Sequence, residues 1–379
     1  MRYAELVEGK TKLLVPPASL KAQAPPKSPV FFNPAASVNR DVSVAVALAA
    51  GGSTFCDSMA GVGARGVRVA KEVERTRKVS LVDFNAEALG VARRTAALNG
   101  VLGRCEFEVG ETSSVLFSRY GKDEKFDSVD VDPFGSPMRQ VQAGVSATRD
   151  GGILSVTATD TAALCGVYPR VAMRRYGAAT VNNHFHHETG IRILVNAIRR
   201  VAASVEVGVS PVAAHATRHY IRVFVRLAVG PSKADSSLGH EGFVAWCPYC
   251  GDTSSSSDRL LVCPECGRAP KVAGPLWVGN LTDRRLMVRA AGAAEDGGLI
   301  RAAKILRSLD EVDLFPPLSY SIERICSSLG IATVPEADVR KFLSKAGYDS
   351  CRQPFEDTGL KTRATFKDVK DAVRASARA

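Results

Sequence analysis

The chain has 379 residues, more than one typical domain holds, so two domains are expected. Hydrophobic residues make up 45% and charged residues 23%, which is typical of a globular protein with a sizeable core. The net charge of +11 favours a polyanionic partner, although a basic protein without one would have the same charge.

No apolar run reaches the roughly 18 residues that a membrane span needs. The N-terminus also lacks the apolar core of a signal peptide. These two observations argue against the membrane-spanning and secreted classes. We therefore expect a cytoplasmic protein whose cysteines are reduced.

The first 30 residues are basic and rich in proline, which predicts an extended arm or short edge strands rather than a helix. The segment Phe31-Phe32-Asn33-Pro34 follows. A predicted helix that contains Asn39-Arg40-Asp41 comes next.

A glycine-rich turn joins a predicted strand, Ser53–Asp57, to a helix at about Ala64–Val73. It contains a G-x-G-x-x-G motif at Gly61, Gly63 and Gly66. Glycines permit the tight turn, and the helix N-terminus presents free N–H groups. A second strand, Lys78–Val82, leads to Asp83, whose carboxylate is spaced to accept hydrogen bonds from ribose hydroxyls. The pattern predicts a nucleotide-like cofactor and fits NAD and S-adenosylmethionine equally, with a purely structural turn as the alternative.

A second segment, Asp130-Val-Asp-Pro-Phe-Gly-Ser-Pro137, follows a predicted strand at Phe126–Val131. Side chains at the carboxyl end of such a strand face the ligand crevice of an open α/β sheet. There Asp132 could accept a hydrogen bond from an exocyclic amine, a carbonyl of Asp132 or Pro133 a second, and Phe134 could stack on a base.

An amine conjugated to a purine is a weak nucleophile. Two acceptors on its hydrogens return electron density to the nitrogen and direct its lone pair at a methyl sulfonium. The two segments together therefore favour methyl transfer from S-adenosylmethionine to a planar amine over a simple Asp-Pro turn.

Strands and helices alternate from Ser53 to about Leu227, which predicts a doubly wound α/β sheet. Further predicted elements are the strands Cys105–Val109 and Gly152–Val156 and the helices Phe84–Leu98 and His187–Val205. The segment Arg218–Leu227 alternates apolar and polar side chains, so it is predicted to be a half-buried strand.

Two clusters in this region have ambiguous roles. Of His184, His186, His187 and Glu188, only the first and the last are expected to converge, because neighbouring helix positions face different directions. A helix start that faces RNA is therefore favoured over a metal site. The short predicted helix with Arg170, Arg174 and Arg175 fits phosphate contacts and a solvated face equally.

Residues 231–241 are polar and are predicted to link a domain at 1–230 to a second domain at 242–379. In the second domain, two C-x-x-C motifs, each followed by glycine, predict a structural zinc ribbon at 243–275, with a disulfide pair or a redox site as alternatives. The predicted zinc ligands are Cys247, Cys250, Cys263 and Cys266.

Helices are predicted to dominate from Leu276 onward, with a β-hairpin near Gly347–Arg363, as in a winged-helix-like module. Basic residues beside a zinc ribbon favour nucleic acid as the partner, with a solvated basic face as the alternative. They are Arg284, Arg285, Arg289, Arg301, Lys304 and Arg307.

The chain resembles the tRNA (guanine-26, N2)-dimethyltransferase family, in its archaeal form, over most of its length. The resemblance rests on the segments Phe31–Asp41, Asp57–Gly66, Asp130–Pro137 and Ala158–Gly166 and on the paired C-x-x-C motifs. It implies a class I S-adenosylmethionine-dependent methyltransferase domain and a family-specific C-terminal domain. It also implies the transfer of one and then two methyl groups to the N2 amine of guanine 26 in tRNA, and we expect the free enzyme to be a monomer.

The resemblance further implies roles for individual residues. Arg40 and Arg65 would contact the cofactor, Asp83 its ribose and Glu111-Thr112 its adenine, although the family usually has Asp-Ala at the last position. We assign to the same cofactor site Asp57, Gly61, Gly63 and Asp130.

The guanine pocket would be formed by the catalytic residues Asp132, Pro133 and Phe134, and be lined by Phe32 and Asn33. Three alternatives stay open. The enzyme could methylate an amine of another base, or it could be an NAD-dependent oxidoreductase, which leaves Asp132-Pro133-Phe134 without a role. It could also be a non-catalytic zinc-ribbon RNA-binding protein, which the presence of Asp57, Asp83 and Asp132 argues against.

Overall fold

The structure is a computed structural model that describes residues 3–21, 30–122, 124–217, 219–356 and 358–378. The proline-rich part of the predicted arm at 22–29 lies outside these ranges. The preceding residues form a short antiparallel hairpin of β1 (Ala4–Glu8) and β2 (Thr11–Val15). The predicted helix that contains Asn39-Arg40-Asp41 is α1 (Ser37–Ala50).

The main sheet follows in the chain. Its strands are β3 (Thr54–Asp57), β4 (Lys78–Asp83), β5 (Cys105–Val109), β6 (Phe126–Val131), β7 (Thr148–Ala158), β8 (Val207–Ala216) and β9 (Ile221–Val229). The helices between them are α2 (Gly66–Glu72), α3 (Ala86–Leu98), α4 (Thr112–Gly121), α5 (Val141–Ala147), α6 (Thr161–Leu164), α7 (Pro169–Tyr176) and α8 (His186–Ala203). The predicted α/β alternation is confirmed, whereas β8, α4, α5 and the short α6 were not predicted.

The strand order is β5-β4-β3-β6-β7-β9-β8. Strands β3 to β7 pair in parallel, and β9 pairs antiparallel with both β7 and β8. The order reverses between β3 and β6, so their carboxyl ends form a topological switch point, where open α/β sheets bind ligands. Asp57 and Asp130 lie opposite each other at this point.

Strand β9 differs from its prediction as a half-buried strand. It lies between β7 and β8, and both of its faces are covered, so that Arg222 and Phe224 are buried along with the apolar side chains. The alternating pattern predicted a solvent-facing side for Arg222, but this side chain is buried because it has an ion-pair partner, Asp130, inside the protein. The predicted strand began at Arg218, which lies outside the described residues.

The segment predicted as a linker instead forms α9 (Pro231–Leu238), which packs on β8. Pro231 starts the helix, and Ala234 and Ser237 form its buried face. The remaining elements are β10 (Glu241–Trp246), β11 (Thr253–Ser256), β12 (Lys271–Trp277), α10 (Arg284–Asp296), α11 (Ile300–Ser308), α12 (Ile322–Leu329), α13 (Glu336–Lys345), β13 (Ser350–Arg352), β14 (Leu360–Thr362) and α14 (Phe366–Arg378). Strands β10 to β12 form a small antiparallel sheet, and β13 and β14 form the predicted hairpin.

The main hydrophobic core extends across the predicted domain boundary. It includes Ile193 and Leu194 of α8, Trp277 of β12 and Leu286 of α10. A separate apolar cluster joins α12, α13 and α14. The parts of the chain on either side of residue 240 therefore share this core, which continues past α11 to Leu318 and Phe355, whereas α12, α13 and α14 pack around a separate one.

A buried carboxylate connects this last part to α8. Glu188 accepts hydrogen bonds from Arg192 (2.8 Å), from Lys361 on β14 (3.1 Å) and from the Leu318 N–H (3.1 Å), and it also contacts Gln353. Burial alone would raise the pKa of Glu188, but Lys361 and Arg192 lower it to about 2. Glu188 is thus a buried ion-pair residue. It cannot face RNA, a role considered for the cluster of His184, His186, His187 and Glu188.

We expect Glu188→Gln to destabilise the protein by about 3–5 kcal/mol, because Lys361 would stay buried without its counter-charge. Chemical denaturation at neutral pH measures this, with Glu295→Gln at an exposed pair with Arg307 as the control that stays unchanged. The ion pair stabilises the wild type fully above pH 4.5, and the effect is lost as pH falls toward 2, so the two proteins should converge in acid. Equal stability at pH 7 would contradict this role.

Candidate active site

The glycine-rich turn packs tightly at the switch point. Gly61 and Gly63 have φ of +53° and +76°, in the left-handed region that favours glycine. A Cβ on Gly63 would lie 2.8 Å from the Cβ of Ala92 on α3, so only glycine fits there.

Asp57 holds this turn in place. Its Oδ2 accepts a hydrogen bond from the Gly66 N–H at the start of α2 (2.8 Å), and its side chain is buried. Burial raises the pKa of Asp57 to about 7, even though Arg65 lies nearby. In the structure the Asp57 carboxylate contacts the turn, and its predicted contact with the cofactor stays a prediction.

Asp83 lies at the mouth of the crevice, at the end of β4. Its carboxylate accepts hydrogen bonds from the N–H groups of Gly61 (2.8 Å) and Asn85 (2.9 Å), which fixes its position relative to the glycine turn. The next residue, Phe84, is 82% exposed. The carboxylate and the aromatic ring together offer a polar and a flat apolar contact to a nucleoside.

Glu111 and Thr112 lie at the start of α4, on the same side of the sheet. The Glu111 carboxylate accepts a hydrogen bond from the Ser114 N–H (2.9 Å) and caps the helix. Thr112 is buried, and its hydroxyl donates to the Ser58 carbonyl (2.7 Å). Both side chains therefore have local structural partners, and their predicted contact with adenine stays a prediction.

Arg40 does not point into the open crevice. Its guanidinium donates to the Glu8 carboxylate (2.7 and 2.5 Å) and to the Asn33 carbonyl (3.1 Å). The buried Glu8 attracts it, and the contact attaches the N-terminal hairpin to α1. A direct contact between Arg40 and a cofactor would require this pairing to change, so the role that the resemblance implied stays a prediction.

Asp132 is the partly open carboxylate of the site. It follows β6, its side chain is 27% exposed, and its Oδ2 accepts a hydrogen bond from Arg65 (2.5 Å). Arg65 also donates to Asn39 (2.8 Å) and forms an ion pair with Asp130. Burial alone would raise the pKa of Asp132, but Arg65 and Arg222 hold it below its usual value.

Asp130, which is predicted to bind the cofactor, lies between two arginines. Its two carboxylate oxygens pair with Arg65 and with Arg222, and its side chain is fully buried. Arg222 also donates to the Thr157 hydroxyl on β7 (2.6 Å). Sequence reasoning missed Arg222 and Thr157, because the alternating pattern of β9 placed its arginines on a solvent face.

The segment after Asp132 presents an aromatic ring to solvent. Phe134 is 77% exposed, and Gly135 donates to the Thr159 hydroxyl (2.6 Å) and accepts from the Thr159 N–H (2.9 Å). These two bonds fix the segment to the end of β7. The ring of Phe134 packs edge to face against Phe31, with centroids 4.8 Å apart.

Phe31 therefore occupies the place that the sequence assigned to Phe32. The ring of Phe32 is 2% exposed and packs beneath the Arg40 guanidinium, in the small core of the N-terminal hairpin. The Asn33 side chain accepts a hydrogen bond from the Ala35 N–H (3.0 Å) and so caps a short helical turn, and its predicted place in the pocket stays a prediction. Adjacent residues of an extended segment face opposite sides, and the sequence could not show which of the two phenylalanines faces outward.

The histidine cluster is also arranged differently from its prediction. His184 and Glu188 do not converge, because His184 contacts the Ser319 carbonyl (2.9 Å) while Glu188 is enclosed by its ion pairs. Instead, ring nitrogens of His186 and His187 come within 4.8 Å of each other and of the Cys165 thiol. His187 also contacts Glu356 (2.9 Å), so this cluster adds a further contact between α8 and the C-terminal residues.

The four predicted zinc ligands converge. Their Sγ atoms lie within 4.8 Å of one another, with Cys247 and Cys266 3.4 Å apart and Cys250 and Cys263 3.7 Å apart. The two C-x-x-C turns have the same hydrogen bonds, since Gly251 donates to the Cys247 carbonyl and Gly267 to the Cys263 carbonyl, both at 2.9 Å. Four sulfur atoms at these separations fit a tetrahedral zinc with Zn–S bonds of about 2.3 Å.

Comparison with known proteins agrees with this architecture. The structure is similar to that of Trm1 from Pyrococcus horikoshii in complex with S-adenosyl-L-methionine, with a TM-score of 0.86 and 30% identity over 97% of this chain and 99% of that chain. The mixed α/β fold with its parallel-dominated sheet is that of a methyltransferase. In the described residues, no helix is both long enough and apolar enough to cross a membrane.

The chain belongs to the N2,N2-dimethylguanosine tRNA methyltransferase family, whose model matches residues 9–374. It is 35% identical to the tRNA (guanine(26)-N(2))-dimethyltransferase of Methanopyrus kandleri, over 98% of this chain and 96% of the relative. It is 32% identical to the enzyme of the same name from Methanothermobacter thermautotrophicus, over 97% of each chain. The family that the sequence resembled is confirmed.

Proposed function

We propose that this protein uses S-adenosylmethionine to methylate the N2 amine of guanine 26 in tRNA, first once and then twice. The observation that carries the proposal is the Asp132-Pro133-Phe134 segment, beside the glycine turn in a chain of this family. The names of the relatives supply the base and its position.

The residues at the switch point fit the proposed cofactor. Asp83 would accept hydrogen bonds from the ribose hydroxyls, and the exposed ring of Phe84 would pack against the nucleoside. The turn that contains Gly61 and Gly63 lets the ligand approach the backbone closely. When bound, S-adenosylmethionine supplies an electrophilic methyl group.

In the first transfer, Asp132 would accept one N–H of the guanine amine, and the Pro133 carbonyl would accept the other. This directs the nitrogen lone pair away from both acceptors, toward the methyl group. In the second transfer a single N–H remains to be accepted. Each transfer replaces one N–H bond by an N–C bond and releases one proton. Because the pKa of Asp132 is held below its usual value, the carboxylate stays ionised as an acceptor, and the proton passes to water.

Phe31 and Phe134 would hold the plane of the base. The two rings contact each other edge to face, so they must separate for a base to enter between them. A base inside folded tRNA reaches such a site only when it is flipped out of its stack. The position of the flipped guanine between these two rings would then determine whether its N2 amine reaches Asp132.

We expect Asp132→Asn to lower the rate of methyl transfer by about 100-fold or more, because an uncharged amide accepts hydrogen bonds less strongly and its NH₂ can face the amine. The assay uses unmodified tRNA transcript, methyl-labelled S-adenosylmethionine and nucleoside analysis of the product. Binding of S-adenosylhomocysteine should be retained, and Glu106→Gln on the edge strand β5 is the unchanged control. Near-normal activity of Asp132→Asn would refute this role, and label in another nucleoside would refute the substrate.

We propose that the four converged cysteines bind one structural zinc ion. Four thiolates fill a tetrahedral site and leave no position for substrate, so the ion would stabilise the sheet of β10 to β12 and take no part in methyl transfer. The matching hydrogen bonds of the two C-x-x-C turns support this interpretation over a disulfide pair, which would join only two of the sulfurs.

The purified protein should contain about one zinc per chain, and Cys266→Ser should lose it. Elemental analysis measures the metal, and Cys105→Ser, outside the cluster, is the control that keeps it. Metal-free wild-type protein with a disulfide, or unchanged zinc in Cys266→Ser, would contradict the proposal.

We propose that α7 contacts the tRNA backbone beside the target base. The helix lies next to the active-site segment, because Tyr176 and Arg175 both contact Asp160, just after β7. Arg170 and Arg174 are exposed and form no ion pair within the described residues. Tyr168 is exposed on the same helix start and offers a ring for base stacking.

In the C-terminal part, Arg284 is paired with Asp310 and Arg307 with Glu295, so these two arginines are less available for phosphate contacts.

We expect the double variant Arg170→Gln/Arg174→Gln on α7 to bind tRNA more weakly and to reduce the slope of log affinity against log salt by about two. The matched control is Arg149→Gln/Arg226→Gln, which removes the same charge near the amino end of β7, whereas α7 lies near its carboxyl end. Equal losses in both double variants would show a non-specific charge effect and refute the contact.

A further inference from the structure

The Asp132 carboxylate lies at one end of a buried chain of charged side chains. Arg65 contacts Asp132 and Asp130, and Asp130 in turn contacts Arg222. The side chains of Arg65, Asp130 and Arg222 are each at least nine-tenths buried, and only Asp132 reaches solvent. These contacting side chains therefore connect the interior of the sheet to Asp132, the proposed acceptor.

Arg222 reaches this position from a distant part of the sheet. It lies on β9, opposite Thr157 of β7, and its guanidinium passes beyond β7 to Asp130 on β6. Since Thr157 and Asp130 each take one terminal nitrogen of Arg222, the guanidinium is fixed at two points. Arg65 is fixed in the same way by Asn39 and Asp130, which determines where its second nitrogen meets Asp132.

Stability alone does not explain this arrangement. Buried ion pairs pay a large desolvation penalty, and apolar side chains of similar volume often give equal or greater stability. Arg222 has a fully buried side chain among the apolar residues of an interior strand. Its presence there is better explained if it orients another group than if it only stabilises the fold. The group that needs orientation is the only exposed carboxylate of the chain of charges, Asp132.

We propose that Arg222 is a positioning residue for methyl transfer, which acts through Asp130 and Arg65 to fix the Asp132 carboxylate against the target amine. This inference rests on the proposed role of Asp132 as the acceptor of the amine. It also assigns Asp130 and Arg65 to the acceptor rather than to the cofactor. A small displacement of the acceptor lowers the rate strongly, because the amine must be aligned for attack.

The test is single-turnover methyl transfer at saturating tRNA and S-adenosylmethionine, with Arg222→Met and Arg222→Lys. Met keeps much of the volume without the charge, and Lys keeps the charge but cannot donate in the same planar, two-point geometry. We expect Arg222→Met to transfer methyl about 100-fold more slowly and Arg222→Lys to recover part of the loss. Affinities for tRNA and S-adenosylhomocysteine should stay at the wild-type level in both.

The matched control is Arg226→Met. Arg226 is on the same strand but lies near the amino ends of the parallel strands, where it donates to the Gly151 carbonyl. It should transfer methyl at the wild-type rate. Thermal melting separates folding defects from rate effects, and if Arg222→Met does not melt cooperatively, the decision rests on Arg222→Lys. A wild-type rate in a folded Arg222→Met or, failing that, in Arg222→Lys overturns the inference.

Asp132→Asn, assayed in parallel, separates this inference from the proposed function. If Asp132→Asn is inactive while the Arg222 variants transfer methyl normally, the inference alone is wrong. If Asp132→Asn is active, the proposed acceptor is wrong, and the role of Arg222 falls with it. Slow transfer in Asp132→Asn and Arg222→Met, with partial recovery in Arg222→Lys, supports both.

Discussion

The contact between Asp130 and its two arginines is the interaction on which the site depends. It joins β6 to β9 on one side and to the start of α2 on the other, across the switch point of the sheet. Each of the two Asp130 oxygens has its own arginine partner, so the carboxylate is held from both sides. The glycine turn, the acceptor segment and the antiparallel edge of the sheet thus share one electrostatic centre.

Much of the fold follows from local patterns. The glycine turn, the strand before Asp132 and the paired cysteines were predicted correctly, because each depends on residues close together in the sequence. The interior position of β9 was not predicted, because it depends on which strands pair beside it. The helix α9 was missed because its polar composition resembles a linker, although Ala234 and Ser237 give it a buried face.

The candidate site shows the same limit at the level of single residues. The sequence indicated which residue types gather at the crevice, but not which side chains satisfy one another there. Asp57 and Asp130 have partners within the protein, and Phe31 rather than Phe32 meets Phe134. Such assignments depend on contacts between β1, α1, α2 and β9, which are distant in sequence, and a motif contains no information about them.

The core that continues past residue 240 limits how this enzyme can have changed in evolution. Its first 230 residues contain the whole main sheet, yet cut at that point they would expose the apolar surface of α8 and leave Glu188 without Lys361. The two halves are therefore not interchangeable parts. An N-terminal half of this kind could acquire a different C-terminal half only if the new partner reproduced both the apolar contact and the counter-charge, so the two halves are expected to be inherited together.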